Sequence, residues 1–336
     1  MLVTARQLLQ FAVSLLLGSV ILYWVFQDQN WEEVMHTSKK ARFGWIGLSS
    51  LAGLLAHALR GYRWTLLTGA VGPKPTTVDS YHSVMVGYLA NLAIPRVGEV
   101  VRCGALSRKT GLPMNSLIGT VIVERAVDVL VLLVVTLATL VLYNSLLMGP
   151  AQRLLLRLGR DSTLWVLVIT GTVGGLMAYM FWRNRHRLLE RMRSWKKGQK
   201  FLGLLRGLWL GLRTIRNLSH PERFWLATLG IWLGYFFMSY FCLFAFESTQ
   251  ALGVSEAFLV LVAGSLGFLM PVQGGIGAYH AAVSKALLLL PATGISPSEA
   301  LSYATLTHAA QTLLFVVGGF ISFLILAAAR KKQGAS

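Results

Sequence analysis

Charge is scarce in this sequence, and acid above all. Asp and Glu number 13 and Lys and Arg 31 in 336 residues, so charged residues are 13% against 55% hydrophobic. So few charges cannot cover a soluble protein of this length, which excludes an ordinary globular enzyme or binding module. Cysteine is nearly absent: Cys103 and Cys242 lie in or beside apolar segments without pairing or metal-ligand spacing, so a disulfide framework and a zinc site are excluded and packing roles are expected. No G-x-x-x-x-G-K-[ST] run is present, which removes P-loop nucleotide hydrolysis as a source of energy. Also missing are H-E-x-x-H, G-x-S-x-G and any acidic cluster suited to a metal-bound phosphate donor. No catalytic residue, cofactor or metal is therefore expected, and the chain is not read as an enzyme.

What the sequence has is long apolar runs. Candidates for bilayer crossings of about 20 residues lie at 8–26, 44–68, 115–142, 163–182, 224–246 and 299–329. The first run is longer than a signal-peptide core of about 7–15 residues, and "LYWVFQDQN" offers no small-residue cleavage site, so it reads as a retained anchor. The formal net charge is +18, with basic residues concentrated at helix ends and in "FWRNRHRLLERMRSWKKGQK". Such clusters face anionic lipid headgroups, and nucleic acid is not the expected partner. Positive-inside counting places 183–223 and the tail "ARKKQ" in the cytoplasm; six crossings then put both termini there, although Lys39, Lys40 and Arg42 in the loop 27–43 run against this orientation.

Two further apolar stretches, 78–110 and 256–290, are broken near their middles at "IPRVGE" and "MPVQGGIGAYH". Proline removes a backbone donor and glycine loosens a helix, so each stretch reads as two short half-helices. A re-entrant hairpin whose tip is buried in protein or lines a wet cavity fits better than two full crossings, which remain the alternative. The expected architecture is an all-α polytopic membrane protein of six full spans and two broken hairpins, one domain over 1–336. Residues 44–142 and 224–329 both read span, broken hairpin, span in opposite orientations, the pattern of an inverted-topology repeat.

Ionisable side chains inside a bilayer cost roughly 2.5–3.5 kcal/mol each at a helix centre, so a group of them marks a site. Arg96, Glu99 and Arg102 recur every three residues after Pro95 and are expected on one helix face, with Glu99 pairing to either arginine. Glu124 and Asp128 lie one turn apart beside Arg125, and Arg102 or Arg96 is expected to neutralise them in an ion network. Arg60 can join the first hairpin in holding a phosphate, whereas snorkelling is the simpler account of Arg60 and Arg63, and Trp64 reads as an interfacial belt residue. At the second break, backbone amides with Gln273, Tyr279 and His280 offer hydrogen bonds to an anion, with Lys285 snorkelling outward. His308 and Gln311 in the last run are expected to support this tip.

The runs "LRGYRW", "NLAIPRVGEVVRCGALSRKTG", "VIVERAVDVLVLL" and "PVQGGIGAYHAAVSKALL" resemble the lysylphosphatidylglycerol synthase transmembrane-domain family of flippase-like membrane proteins. The resemblance covers nearly the whole chain. It implies a bacterial inner-membrane protein with re-entrant helices that moves an anionic or aminoacylated phospholipid between leaflets. The sequence ends at "ARKKQGAS" without a synthase domain, so it is similar to the stand-alone branch. The expected partners are a phospholipid substrate, a separate lipid-modifying enzyme and a second copy of the chain. An intramembrane lipid-modifying enzyme and a scaffold for a synthase are the alternatives.

Overall fold

The computed structural model describes residues 5–27, 29–143, 215, 218–290 and 294–333, and among these it is entirely helical. The expected span at 163–182 and most of the loop 183–223 lie outside the described residues. The chain divides into two compact units, one of 1–125 with 214–336 and one of 126–213.

Among the described residues ten α-helices follow in chain order: α1 Ala5–Phe26, α2 Trp31–Lys40, α3 Phe43–Thr68, α4 Thr77–Ala93, α5 Gly98–Thr110, α6 Met114–Leu142, α7 Pro221–Leu243, α8 Val254–Leu269, α9 Ala278–Leu288 and α10 Pro297–Gln333. Their ends follow local chemistry. The Asn30 carboxamide oxygen accepts from the Glu32 and Glu33 amides at the start of α2, whose acidic first turn and Lys39–Lys40 last turn complement the helix dipole. Thr76 caps α4 through the Asp79 amide, and Gly111 closes α5 in the left-handed conformation. Ser296 and Glu299 form a reciprocal capping box before α10, and the Ser296 hydroxyl also donates to Glu33 at 2.9 Å, tying α2 to this end.

Among the described residues three helices contain windows long and apolar enough to cross a bilayer, at Met114–Leu142, Pro221–Leu243 and Pro297–Ala328. On α10, Leu313, Val317, Phe320 and Leu324 recur at helical spacing and are exposed, a face that water would not tolerate and lipid does. α3 packs along α7, with small residues permitting a close approach: a methyl at Gly234 would fall 2.7 Å from the Ala56 Cβ.

Both breaks are hairpins. α4 ends at Ala93, Pro95 interrupts the amide ladder, Arg96 takes φ 64, and α5 returns beside α4. Backbones meet there: a methyl on Gly98 would lie 2.0 Å from the Gly87 carbonyl oxygen, and the Asn91 carboxamide accepts the Gly98 amide at 2.7 Å. In the second hairpin a 3-10 turn, Gln273–Gly275, joins α8 to α9, with Gly274, Gly275 and Gly277 all at positive φ. The two tips touch, since a methyl on Gly274 would lie 2.8 Å from Leu92.

Candidate functional site

The centre of the first unit is a carboxylate. Glu124 on α6 is fully buried, and three guanidiniums converge on it. Arg60 donates to its Oε1 through Nε at 3.0 Å and Nη2 at 2.7 Å. Arg102 donates through Nη1 to both oxygens at 3.2 and 3.3 Å, and Arg63 Nη2 stands 3.7 Å from Oε1. Each arginine is also held by neutral groups: Arg60 donates to the Tyr235 hydroxyl at 3.1 Å, Arg63 to the Thr228 hydroxyl at 3.3 Å, and Arg102 lies 4.7 Å over the Trp64 ring. Buried charge of this kind survives only where geometry and extra hydrogen bonds offset lost hydration. Arginine suits the task because its planar fork meets carboxylates or phosphates in two directions and stacks on aromatic faces.

This arrangement corrects several expectations. Arg60 and Arg63 do not snorkel; both are buried, because α3 is packed on both sides at that level. Trp64 is no belt residue but a fully buried one whose Nε1–H donates to Thr120 at 2.9 Å. Glu99 pairs with neither Arg96 nor Arg102. It accepts from Arg125 at 2.6 Å in a half-buried pair, 26% and 41% exposed. Since α5 starts at Gly98, Arg96 lies outside it and does not share the face of Glu99 and Arg102. Its exposed side chain instead reaches to 3.5 Å from the Leu269 carbonyl at the end of α8. Asp128 lies one turn beyond Glu124 on α6, in the second unit.

Beside the buried cluster a shallow cleft with room for about one water molecule lies between α4 and α5, lined by Val84, Gly87, Tyr88, Asn91, Glu99 and Arg102, with Arg125 at its side. Arg102 belongs to both, so the cleft floor is the outer surface of the charge cluster. Tyr88 and Asn91 carried no sequence signal beyond their nearness to the proline break.

The second tip is organised by histidines. His308 on α10 donates its Nε2–H to the Gly274 carbonyl at 2.8 Å, as expected for a residue supporting this turn. His280 Nδ1 accepts the Gly277 amide at 3.3 Å, so its proton is on Nε2 when neutral. The two imidazoles are 4.8 Å apart, the Tyr279 hydroxyl is within 3.4 Å of Thr307, and Gln273 is buried in the turn. Gln311 is half-buried three residues beyond His308. Lys285 is exposed, with its ammonium 4.3 Å over the Trp24 ring. Both cysteines are buried and unpaired, and the Cys242 thiol donates to Ser49 at 3.2 Å, as packing residues would.

One buried residue was missed at the sequence level. His57 is enclosed by Tyr88, Phe315 and Tyr235, with ring centroids 4.9, 5.4 and 6.2 Å away, and neither of its nitrogens has a hydrogen-bond partner among the described residues. Its i, i+3 relation to Arg60 was the available signal. A buried polar group left unsatisfied costs about 1–3 kcal/mol. His57→Phe is expected to leave the thermal midpoint of purified protein unchanged or raised; a fall of several degrees would show that the imidazole contributes a stabilising contact.

Apolar helices with lipid-type exposed faces, two broken hairpins and a buried charge cluster define a helical integral membrane protein. A family model described as the lysylphosphatidylglycerol synthase TM region matches residues 8–319, and the chain belongs to that family. No curated protein and no solved structure matches the chain.

Proposed function

We propose that this protein moves an anionic phospholipid between the leaflets of the bacterial cytoplasmic membrane, as a transporter and without covalent chemistry of its own. The observation that carries the reading is the buried cluster of Arg60, Arg63, Arg102 and Glu124, of which Arg102 also lines the cleft between α4 and α5. Arg102, held by the Glu124 carboxylate and the Trp64 face, is preorganised to receive a phosphate oxygen from the cleft side. Acyl chains would remain in the bilayer, the cleft between α4 and α5 having room for only about one water molecule.

In this reading the two hairpins are re-entrant, the segments 44–142 and 224–329 form an inverted repeat within six spans, and both termini are cytoplasmic. Element order supports it: α3, the α4–α5 hairpin and α6 are matched by α7, the α8–α9 hairpin and α10. In this reading the headgroup passes from the first hairpin to the second by way of Arg96, whose guanidinium reaches the Leu269 carbonyl at the end of α8. Without a P-loop motif the movement is driven by a gradient or by consumption of the product, or is passive exchange.

The test is leaflet exchange of fluorescent phospholipids in proteoliposomes, read by chemical quenching of the outer leaflet. Wild-type protein is expected to exceed empty liposomes with anionic lipids. Arg102→Lys, which keeps the charge and loses the fork, is expected to remove most of that excess, a fall of roughly tenfold or more. No exchange by folded wild-type protein across anionic, zwitterionic and polyprenyl lipids would overturn the reading and favour a lipid-modifying enzyme or a scaffold for one.

A further inference from the structure

The second hairpin carries one lysine, Lys285, exposed on α9 a turn before that helix ends at Leu288. No carboxylate among the described residues pairs with it. Its ammonium lies 4.3 Å over the ring of Trp24 on α1, and the Trp24 indole N–H is likewise without a hydrogen-bond partner among the described residues. Exposed apolar side chains frame the pair, Leu288 and Leu289 from the end of α9 and Tyr23 from α1. A lysine that only snorkelled would extend its stem toward water, whereas this one is held against an aromatic face.

Packing tells which end of the molecule this is. α3 and α7 are antiparallel, with Trp45 against Phe244 at 5.0 Å at one end and Arg63 bonded to Thr228 at the other. The α4–α5 hairpin follows α3 and the α8–α9 hairpin follows α7, so the two open at opposite ends, and Lys285 lies at the end away from Arg63. α1 packs on this hairpin through α9 and the 3-10 turn, closely enough that a methyl on Gly277 would fall 2.9 Å from the Gly18 carbonyl oxygen.

Two donors on neighbouring helices, one of them charged, face the bilayer within an apolar frame, which suits a phosphodiester that brings acyl chains with it. We propose that Lys285 and Trp24 bind the phosphate of an anionic phospholipid resident in the leaflet at this end, and that this lipid ties α1 to the second hairpin. Ammonium and indole each donate to a phosphate oxygen, while the acyl chains cover Tyr23, Leu288 and Leu289. A free phosphate ion gains nothing from those apolar side chains. A choline headgroup brings a second cation beside Lys285, so an anionic headgroup is preferred. The site is separate from the buried arginine cluster and does not depend on transport.

Native mass spectrometry of the purified full chain, equilibrated in detergent with dioleoyl phosphatidylglycerol or dioleoyl phosphatidylcholine, measures the lipid retained. Wild type is expected to prefer the glycerol lipid. Lys285→Gln is expected to bind it roughly tenfold more weakly at this site, the size of one charge-assisted hydrogen bond, and Trp24→Phe, which keeps a ring and loses the N–H, less severely. Lys285→Arg is expected to match wild type, and none of the variants to change retention of the choline lipid. In parallel melts, phosphatidylglycerol is expected to raise the midpoint of wild type and Lys285→Arg more than that of Lys285→Gln, and inorganic phosphate to raise none. Unchanged retention by Lys285→Gln, or equal retention of the two lipids by wild type, would overturn the site. Displacement of the glycerol lipid by millimolar inorganic phosphate would overturn the lipid assignment, and an equal rise in midpoint despite lost binding would overturn the tie to α1.

Discussion

Glu124→Gln is expected to be the most damaging conservative change in the protein. The substitution keeps the shape of the side chain but removes a charge that Arg60, Arg63 and Arg102 all approach, and leaves three buried guanidiniums crowded around a neutral amide. Removing one partner of a buried ion pair typically costs about 3–5 kcal/mol, and here one carboxylate serves several partners. The expected result is protein that fails to elute as a single species in detergent, or a thermal midpoint lower by on the order of 10 °C. Glu99→Gln provides the contrast. Its pair with Arg125 is partly exposed, where such pairs contribute about 0–1 kcal/mol, so its midpoint is expected to change little. Equal behaviour of the two variants would remove Glu124 from its central place.

Gly98→Ala is expected to disable the first hairpin without touching a charge. A methyl there would come within 2.0 Å of the Gly87 carbonyl oxygen and 2.6 Å of the Asn91 carboxamide carbon, and the first is backbone that cannot rotate away. Overpacking in a tight core costs typically 1–3 kcal/mol, and a contact this short forces α4 and α5 apart, breaking the bond from Gly98 N–H to Asn91. Because Val84, Gly87, Tyr88 and Asn91 form one wall of the cleft and Glu99 and Arg102 the other, separation changes the site itself. Lipid exchange in proteoliposomes is expected to fall to the level of empty liposomes even where folded protein is recovered. Gly104→Ala on the same helix meets no atom within 4 Å and is expected to retain exchange. If both variants transport normally, close approach of the two half-helices is not required.

Much of this was legible in the residues because each signal was local. Pro95 and the glycines of "PVQGGIG" interrupt helices wherever they occur in a chain, so the breaks fell where the hydropathy pattern put them. The support of the second turn by His308 was likewise readable as a polar residue in an otherwise apolar run. The partners of the charges were not legible. Three-residue spacing suggested that Arg96, Glu99 and Arg102 act together, but the helix starts two residues after Arg96 and divides the set. Arg63 and Trp64 looked interfacial from their place near a span end, whereas α6 and α7 cover them.

By itself, then, the sequence determined that this is a helical membrane protein, where its helices break, and which ionisable residues must be explained, since apolar length, proline and glycine act through the chain's own backbone. Only the tertiary structure decided which charges neutralise one another: Glu124 gathers arginines from α3 and α5, 64 and 22 residues away, and Glu99 takes Arg125. Electrostatic pairing depends on distance in space, and that distance is set by how α3, α4, α5, α6 and α7 pack, which no spacing along one helix encodes.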